Sequence, residues 1–265
     1  MPLDHDPIQE GQTYEDYVRV DLDRWVRRLL KKPGLLERTS KVFQTKVNEK
    51  LIPKKVQTVI TATVKGLVKS VVYGLDFIPK SAPLDDITLQ ERDQLANKLL
   101  LNYKKLAAAE GAGTGMGGFA LAMADFPALI AIKMRFLFKL AHVYGFSTQD
   151  YQERLFLLYV FQLAFSSQEK RPDLFKVILN WEKKLGSWPA EEGYLQQIDW
   201  EQFQQEYRDA IDFRKTLQLI PGLGTVVGAW ANYGLMDDLG IVGMNCYRLR
   251  IVGGAYFDKG HSTRD

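Results

Sequence analysis

The chain has 265 residues, 46% of them hydrophobic and 25% charged, with a formal charge of +3 and a mean hydropathy of −0.20. These values exclude bulk disorder and a chain made mostly of membrane spans. The single cysteine, Cys246, excludes an internal disulfide and any cysteine-rich zinc site, and the three histidines, His5, His142 and His261, are too scattered for a histidine metal site.

No metal and no cofactor is therefore expected. The first residues, MPLDHDPIQEGQTYED, are acidic and polar where a signal peptide shows basic residues and then an apolar run, so the expected location is the cytosol. Charge is unevenly placed. Between Arg24 and Lys69 stand thirteen basic residues against two acidic ones, a local balance of +11 that calls for an anionic partner such as phospholipid, nucleic acid or an acidic protein.

Residues 1–13 read as a disordered tail. In the first helix Tyr14, Val18, Leu22, Trp25 and Leu29 recur at spacings of three and four and form one apolar stripe, which stops at Lys32-Pro33-Gly34. A second helix carries Leu36, Phe43, Val47 and Leu51 inward and Arg38, Lys41, Thr45 and Asn48 outward. Pro53 suits the first turn of a third, with Val56, Ile60, Val64, Leu67 and Val71 on one side and Lys54, Thr58, Thr61, Lys65 and Lys69 on the other. Lys41, Lys46, Lys54, Lys65 and Lys69 are the candidate contacts to the anionic partner.

Thr88-Leu-Gln-Glu91 is a capping-box pattern that predicts a helix to about Glu110. From Ala112 to Ile132 the chain has one charge, Asp125, over the length of a membrane span, but glycines and Asp125-Phe-Pro127 divide it into two short arms. Ser147-Thr148-Gln-Asp150 is expected to cap a helix, YQERLFLLYVFQLAFSS, apolar enough to be enclosed on most sides. Pro172 opens another through Leu185, and Asp199 begins a long one that ends at Pro221-Gly222. A second glycine-rich segment follows, then a tail over 253–265 expected to fray.

The two glycine-rich segments share an order: close glycines, an apolar arm, an acidic break (Asp125; Asp237-Asp238), and an arm with methionine and arginine. This predicts two helical hairpins. Gly111 and Gly115, Gly113 and Gly117, and Gly224 and Gly228 stand four apart, a flat face that suits close helix packing in water or in lipid. Glu110, Asp125, Arg135, Arg154, Asp237 and Arg248 are charges in apolar surroundings, which need partners or water. The repeat predicts that an acidic break of one hairpin meets an arginine of the other. The fold class is thus all-α, a single multi-helix domain over 14–252 with two glycine-rich hairpins and basic amphipathic N-terminal helices.

The runs SKVFQTKVNEKLIP (from Ser40), AAAEGAGTGMGG (from Ala107), ADFPALIAIKMRFLF (from Ala124), RLFLLYVFQLAFSS (from Arg154), FQQEYRDAIDF (from Phe203) and LQLIPGLGTVVGAWANY (from Leu217) resemble the recurrent blocks of the bacterial EcsC family, in the family's order and over nearly the whole chain. The resemblance brings no catalytic residue with it. It implies a membrane-proximal role, because the family's namesake is encoded beside the subunits of an ABC transporter.

Residue chemistry argues against the common enzyme classes. Gly113-Thr-Gly115-Met-Gly-Gly118 fits G-x-G-x-x-G literally, but a helix precedes it where a dinucleotide site needs a strand, and no acidic residue follows at ribose distance. G-x-S-x-G and H-E-x-x-H do not occur. Glu206 and Asp209 form a carboxylate pair or an exposed acidic edge. The basic stretch has no reading helix or aromatic platform for nucleic acid. What remains is a non-enzymatic protein on the inner membrane face, touching anionic lipid or ABC-transporter subunits; the alternative is an enzyme built from charges at the glycine-rich breaks.

Overall fold

A computed structural model describes residues 12–31, 62, 65, 66, 68–73, 77–115, 126–185 and 224–257. Within them seven helices are bounded: α1 (Tyr14–Leu29), α2 (Leu89–Gly115), α3 (Phe126–Val143), α4 (Tyr151–Phe165), α5 (Arg171–Leu179), α6 (Trp181–Lys184) and α7 (Gly224–Phe257). Residues 68–72 are helical as well, and no described residue is in a strand. The chain is all-helical.

Helix α1 begins on a capping box in which the Thr13 hydroxyl accepts from the Asp16 N–H and the Asp16 carboxylate accepts in return. Its buried residues, Tyr17, Val18, Leu22, Trp25 and Leu29, reproduce the apolar stripe, with Tyr14 half-buried at its start. Trp25 meets Phe175 of α5 edge-on at 5.9 Å. At α2 the Thr88–Glu91 capping box forms as the spacing predicts, with the Thr88 N–H donating to Glu91 at 2.8 Å and the Glu91 N–H to the Thr88 hydroxyl at 3.3 Å. The helix then continues five residues past Glu110, through Gly111, Gly113 and Gly115.

Pro127 lies in the first turn of α3, where a missing N–H costs nothing. The helix ends in a Schellman turn: the Gly145 N–H donates to the His142 carbonyl and the Phe146 N–H to that of Ala141. Gly145 has φ +89°, and a Cβ there would lie 2.8 Å from Arg92 Nη1 and 3.1 Å from the Leu84 carbonyl. α4 is enclosed as expected, with all of its residues from Glu153 to Phe165 buried except Tyr159 and Gln162. Asp150 is its N-cap residue but makes no side-chain cap bond, while the Thr148 hydroxyl bonds His142 Nε2 at 2.9 Å and the Ser147 hydroxyl accepts from the Gln149 N–H at 3.3 Å.

Two other expectations are corrected. The helix predicted from Pro172 to Leu185 is broken at Asn180, whose backbone leaves the helical region and whose side-chain amide donates to the Lys176 carbonyl at 2.9 Å. The second glycine-rich segment is not a hairpin. α7 runs unbroken for 34 residues, roughly 50 Å, through Asp237-Asp238 and on to Phe257. Helix-interior glycines cost about 1 kcal/mol each relative to alanine, and here close packing offsets that. A Cβ on Gly240 would lie 2.3 Å from Leu100 of α2, and one on Gly243 2.7 Å from Leu140 of α3. For the first segment, the arm before Asp125, with Gly117 and Asp125 itself, lies outside the described residues, and the arm after it is α3.

α7 is the axis of the packing. It lies along α2 and touches α1, α3, α4 and α5. Phe156 of α4 sits between Trp181 (5.2 Å, edge-on) and Tyr247 of α7 (5.3 Å), and Tyr247 stacks on Tyr144 of α3 at 5.2 Å. Burying each such side chain stabilises the fold by about 1.5–3 kcal/mol, so this aromatic row fixes the depth at which α7 lies.

Candidate functional site

Three features have chemistry that packing alone does not explain: a pair of buried arginine clusters on α7, a cavity between α2 and α7, and an exposed basic surface. Arg248 and Arg250 are two residues apart and so leave α7 on different faces. Arg248, with 1% of its side chain exposed, donates from Nε to both oxygens of Asp93 (3.0 and 3.1 Å) and from Nη1 to Asp21 and to the Asn245 amide oxygen, each at 3.1 Å. Asp93 also accepts from the Tyr14 hydroxyl at 2.6 Å and from that of Tyr144. Burial alone would pull the Arg248 guanidinium down, but the Asp93 carboxylate outweighs it and holds its pKa above the ordinary value. Burial and the same carboxylate push the Tyr14 and Tyr144 hydroxyls up, so both remain neutral donors.

Arg250 points the other way. Its Nη1 meets Glu153 at 2.6 Å and its Nη2 meets Glu182 at 2.8 Å, and its guanidinium lies 3.9 Å from the centre of the Phe146 ring and 4.4 Å from that of Phe156. Tyr247 donates to the second Glu153 oxygen. Burial pushes the Glu153 carboxyl up even with Arg250 beside it. These clusters tie α7 to α1 and α2 on one side and to α4 and α6 on the other.

The cavity holds about 420 Å³ between α2 and α7. Asn97, Leu101 and Lys104 line it from α2, and Tyr233, Asp237, Ile241, Met244, Asn245 and Arg248 line it from α7. Lys104 bridges the two helices, donating to Asp237 at 2.6 Å while its ammonium lies 4.2 Å from the centre of the Tyr233 ring. Burial works to lower the Lys104 pKa, but the Asp237 bond and Tyr233 raise it above its ordinary value, so it stays charged.

The basic surface is carried by α1 and by the segment around 62–72. Arg24, Arg27, Arg28, Lys31, Lys65 and Lys69 are all exposed, whereas Val68, Val71 and Val72 of the second segment are fully buried. Val71 is inward and Lys65 and Lys69 outward, as the helical spacing predicts. Lys41, Lys46 and Lys54 lie outside the described residues.

The charges expected in apolar surroundings fall into different places. Arg154 is buried and donates to three backbone carbonyls: Val72 (2.9 Å), Thr148 (3.2 Å) and Gln149 (2.6 Å). Arg135 is exposed and Glu110 is half-buried. At Asp237 and Arg248 the expected pairing of a break acid with an arginine of the other segment is replaced. Asp237 is held by Lys104 and Arg248 by Asp93 and Asp21, because α7 continues past the acid pair and brings α2 and α1 against it. Gly111, Gly113, Gly115, Gly224 and Gly228 lie in helical backbone at the ends of α2 and α7.

Residues 17–252, from α1 to the last turns of α7, match the model of the EcsC protein family. The chain belongs to the EcsC family. It is 48% identical over 228 residues to Protein EcsC of Bacillus subtilis strain 168, covering 86% of this chain and 92% of that one. It is also 27% identical over 173 residues to the uncharacterized protein YdbA of the same strain, covering 64% of this chain and 62% of that one. No solved structure matches it significantly.

Several members of this site carry little signal in sequence. Asp21 and Asp93 look like ordinary acidic residues on amphipathic helices, although Asp21 stands three residues after the buried Val18. Gly240 and Gly243, three apart within an apolar run and not among the glycine pairs read from the sequence, mark where α2 and α3 approach α7.

Proposed function

We propose that this EcsC-family chain is a non-enzymatic peripheral protein that docks by its basic surface on anionic lipid at the inner face of the cell membrane. The observation that carries the reading is that all six described members of the +11 stretch are exposed, while apolar residues of the same helical segments, Trp25 and Leu29, Val68 and Val71, are buried. A basic side chain near an anionic leaflet contributes about 1 kcal/mol, so each of the six that reaches the leaflet strengthens reversible docking by that amount. Among the described residues no helix is long and apolar enough to cross a membrane, which agrees with docking by charge. The transporter-associated role that the family resemblance implies would use the same surface against the cytoplasmic side of a membrane subunit.

The enzyme alternative rests on charges at the Asp125 and Asp237 breaks. Asp237 is paired with Lys104, and Asp125 lies outside the described residues. Flotation with neutral and with anionic vesicles, at low and high salt, tests the proposal. Capture by anionic vesicles alone, reversed by salt, is expected because exposed charges are screened over about 8 Å at physiological ionic strength. Equal flotation with neutral vesicles, resistance to alkaline carbonate, or recovery with a transporter subunit and no vesicle binding would contradict it.

A further inference from the structure

The α2–α7 cavity retains polar groups that the fold does not use. Arg248 donates through Nε and Nη1 only, so its Nη2, on a side chain 1% exposed, has no hydrogen-bond partner among the described residues. Two amides are fixed by their neighbours. The Asn245 oxygen must be the atom facing Arg248 Nη1, since a guanidinium only donates, and this leaves Asn245 Nδ2 as a second donor. The Asn97 nitrogen must be the atom facing the Asp93 backbone carbonyl at 2.8 Å, which leaves Asn97 Oδ1 as an acceptor. All three residues line the cavity.

Charge restricts what those atoms would take. Arg248 and Lys104 already face three carboxylates, Asp93, Asp21 and Asp237. A further anion would be repelled by that excess of one negative charge, and a cation would find each carboxylate already held by a donor. Beyond the polar end the wall is apolar, with Leu101, Ile241 and Met244 on the two helices, and the volume falls in the range of small-molecule sites. We propose that this cavity binds a small neutral amphiphile whose carbonyl accepts from Arg248 and Asn245, whose N–H or O–H donates to Asn97, and whose aliphatic body lies along Leu101 and Ile241. An aliphatic primary amide has this pattern.

Calorimetric titration of the full chain with octanamide, octanoate and octylamine tests it. Octanamide is expected to bind at least tenfold more tightly than either charged analogue. Leu101→Trp, at a position 46% exposed and so tolerant of a larger side chain, should fill the cavity and abolish octanamide binding while the melting temperature without ligand stays unchanged. Asn97→Ala should weaken octanamide alone, leaving octylamine as it was. Equal binding of the three ligands, octanamide binding that survives Leu101→Trp, or no binding by any of them would overturn the proposal.

Discussion

Replacing Asp93 by asparagine should be among the most destabilising conservative changes in this fold. The carboxylate accepts four hydrogen bonds, from the Tyr14 and Tyr144 hydroxyls and twice from Arg248 Nε, which contacts both of its oxygens at 3.0 and 3.1 Å. Whichever oxygen becomes an NH₂ group therefore faces the Arg248 N–H, donor against donor. Arg248 then keeps only Asp21 as an ionic partner, on a side chain 14% exposed. Breaking a buried pair by removing one partner costs about 3–5 kcal/mol, and the remaining Asp21 places the expected loss near the lower figure, about 3 kcal/mol. Urea unfolding followed by helical circular dichroism reads it directly. In a double-mutant cycle, Asp93→Asn with Arg248→Met should be less destabilised than Asp93→Asn alone, because the orphaned charge is gone. A loss under about 0.5 kcal/mol, the usual range of surface substitutions, would refute the assignment of Asp93 as the principal counter-charge.

Lys133 is buried, with only the Leu129 carbonyl, among the described residues, bonded to its ammonium, at 3.5 Å, and burial pushes its pKa down to about 8. The unfolded chain then binds the extra proton between that value and the ordinary lysine range, so stability should rise with pH across this window by about 3 kcal/mol. Lys133→Met should raise the urea midpoint near neutral pH and flatten that rise. His142 donates from Nδ1 to the Ser81 carbonyl at 2.9 Å and accepts at Nε2 from the Thr148 hydroxyl and N–H, and burial lowers its pKa. Stability from this site is complete above the ordinary histidine pKa and is lost as pH falls from there toward the lowered one; an imidazole NMR titration should place His142 below ordinary histidine. Gly145→Ala should cost about 1 kcal/mol or more in thermal unfolding, since it forces a side chain into the left-handed region and against Arg92.

Local signals were legible wherever a residue's neighbours lie close in sequence. The α1 stripe, the Thr88–Glu91 box and the enclosed α4 follow from spacing of three and four and from short-range capping. Contacts far apart in sequence were not. Asp237-Asp238 reads as a break because two adjacent carboxylates and nearby glycines weaken an isolated helix, yet Lys104, 133 positions away, holds Asp237, and Leu100 and Leu140 fill the space that Gly240 and Gly243 leave. Arg248 stood out as a charge in an apolar run, but Asp93 and Asp21, 155 and 227 positions away, carry no mark of being its partners. Asn180 breaks its helix through a side-chain bond that an amphipathic pattern does not encode. The family resemblance covered the chain without supplying a site, so the α2–α7 cavity emerged only from the packing of α7.

The docking claim is tested most directly by the affinity for anionic vesicles of the chain carrying Lys65→Gln and Lys69→Gln. Both lysines are exposed, and replacing them leaves the buried Val68, Val71 and Val72 unaltered. At about 1 kcal/mol each, their loss should weaken vesicle binding by about 2 kcal/mol, roughly 30-fold, with helical content unchanged. Vesicle affinity equal to that of the unaltered chain would contradict the account.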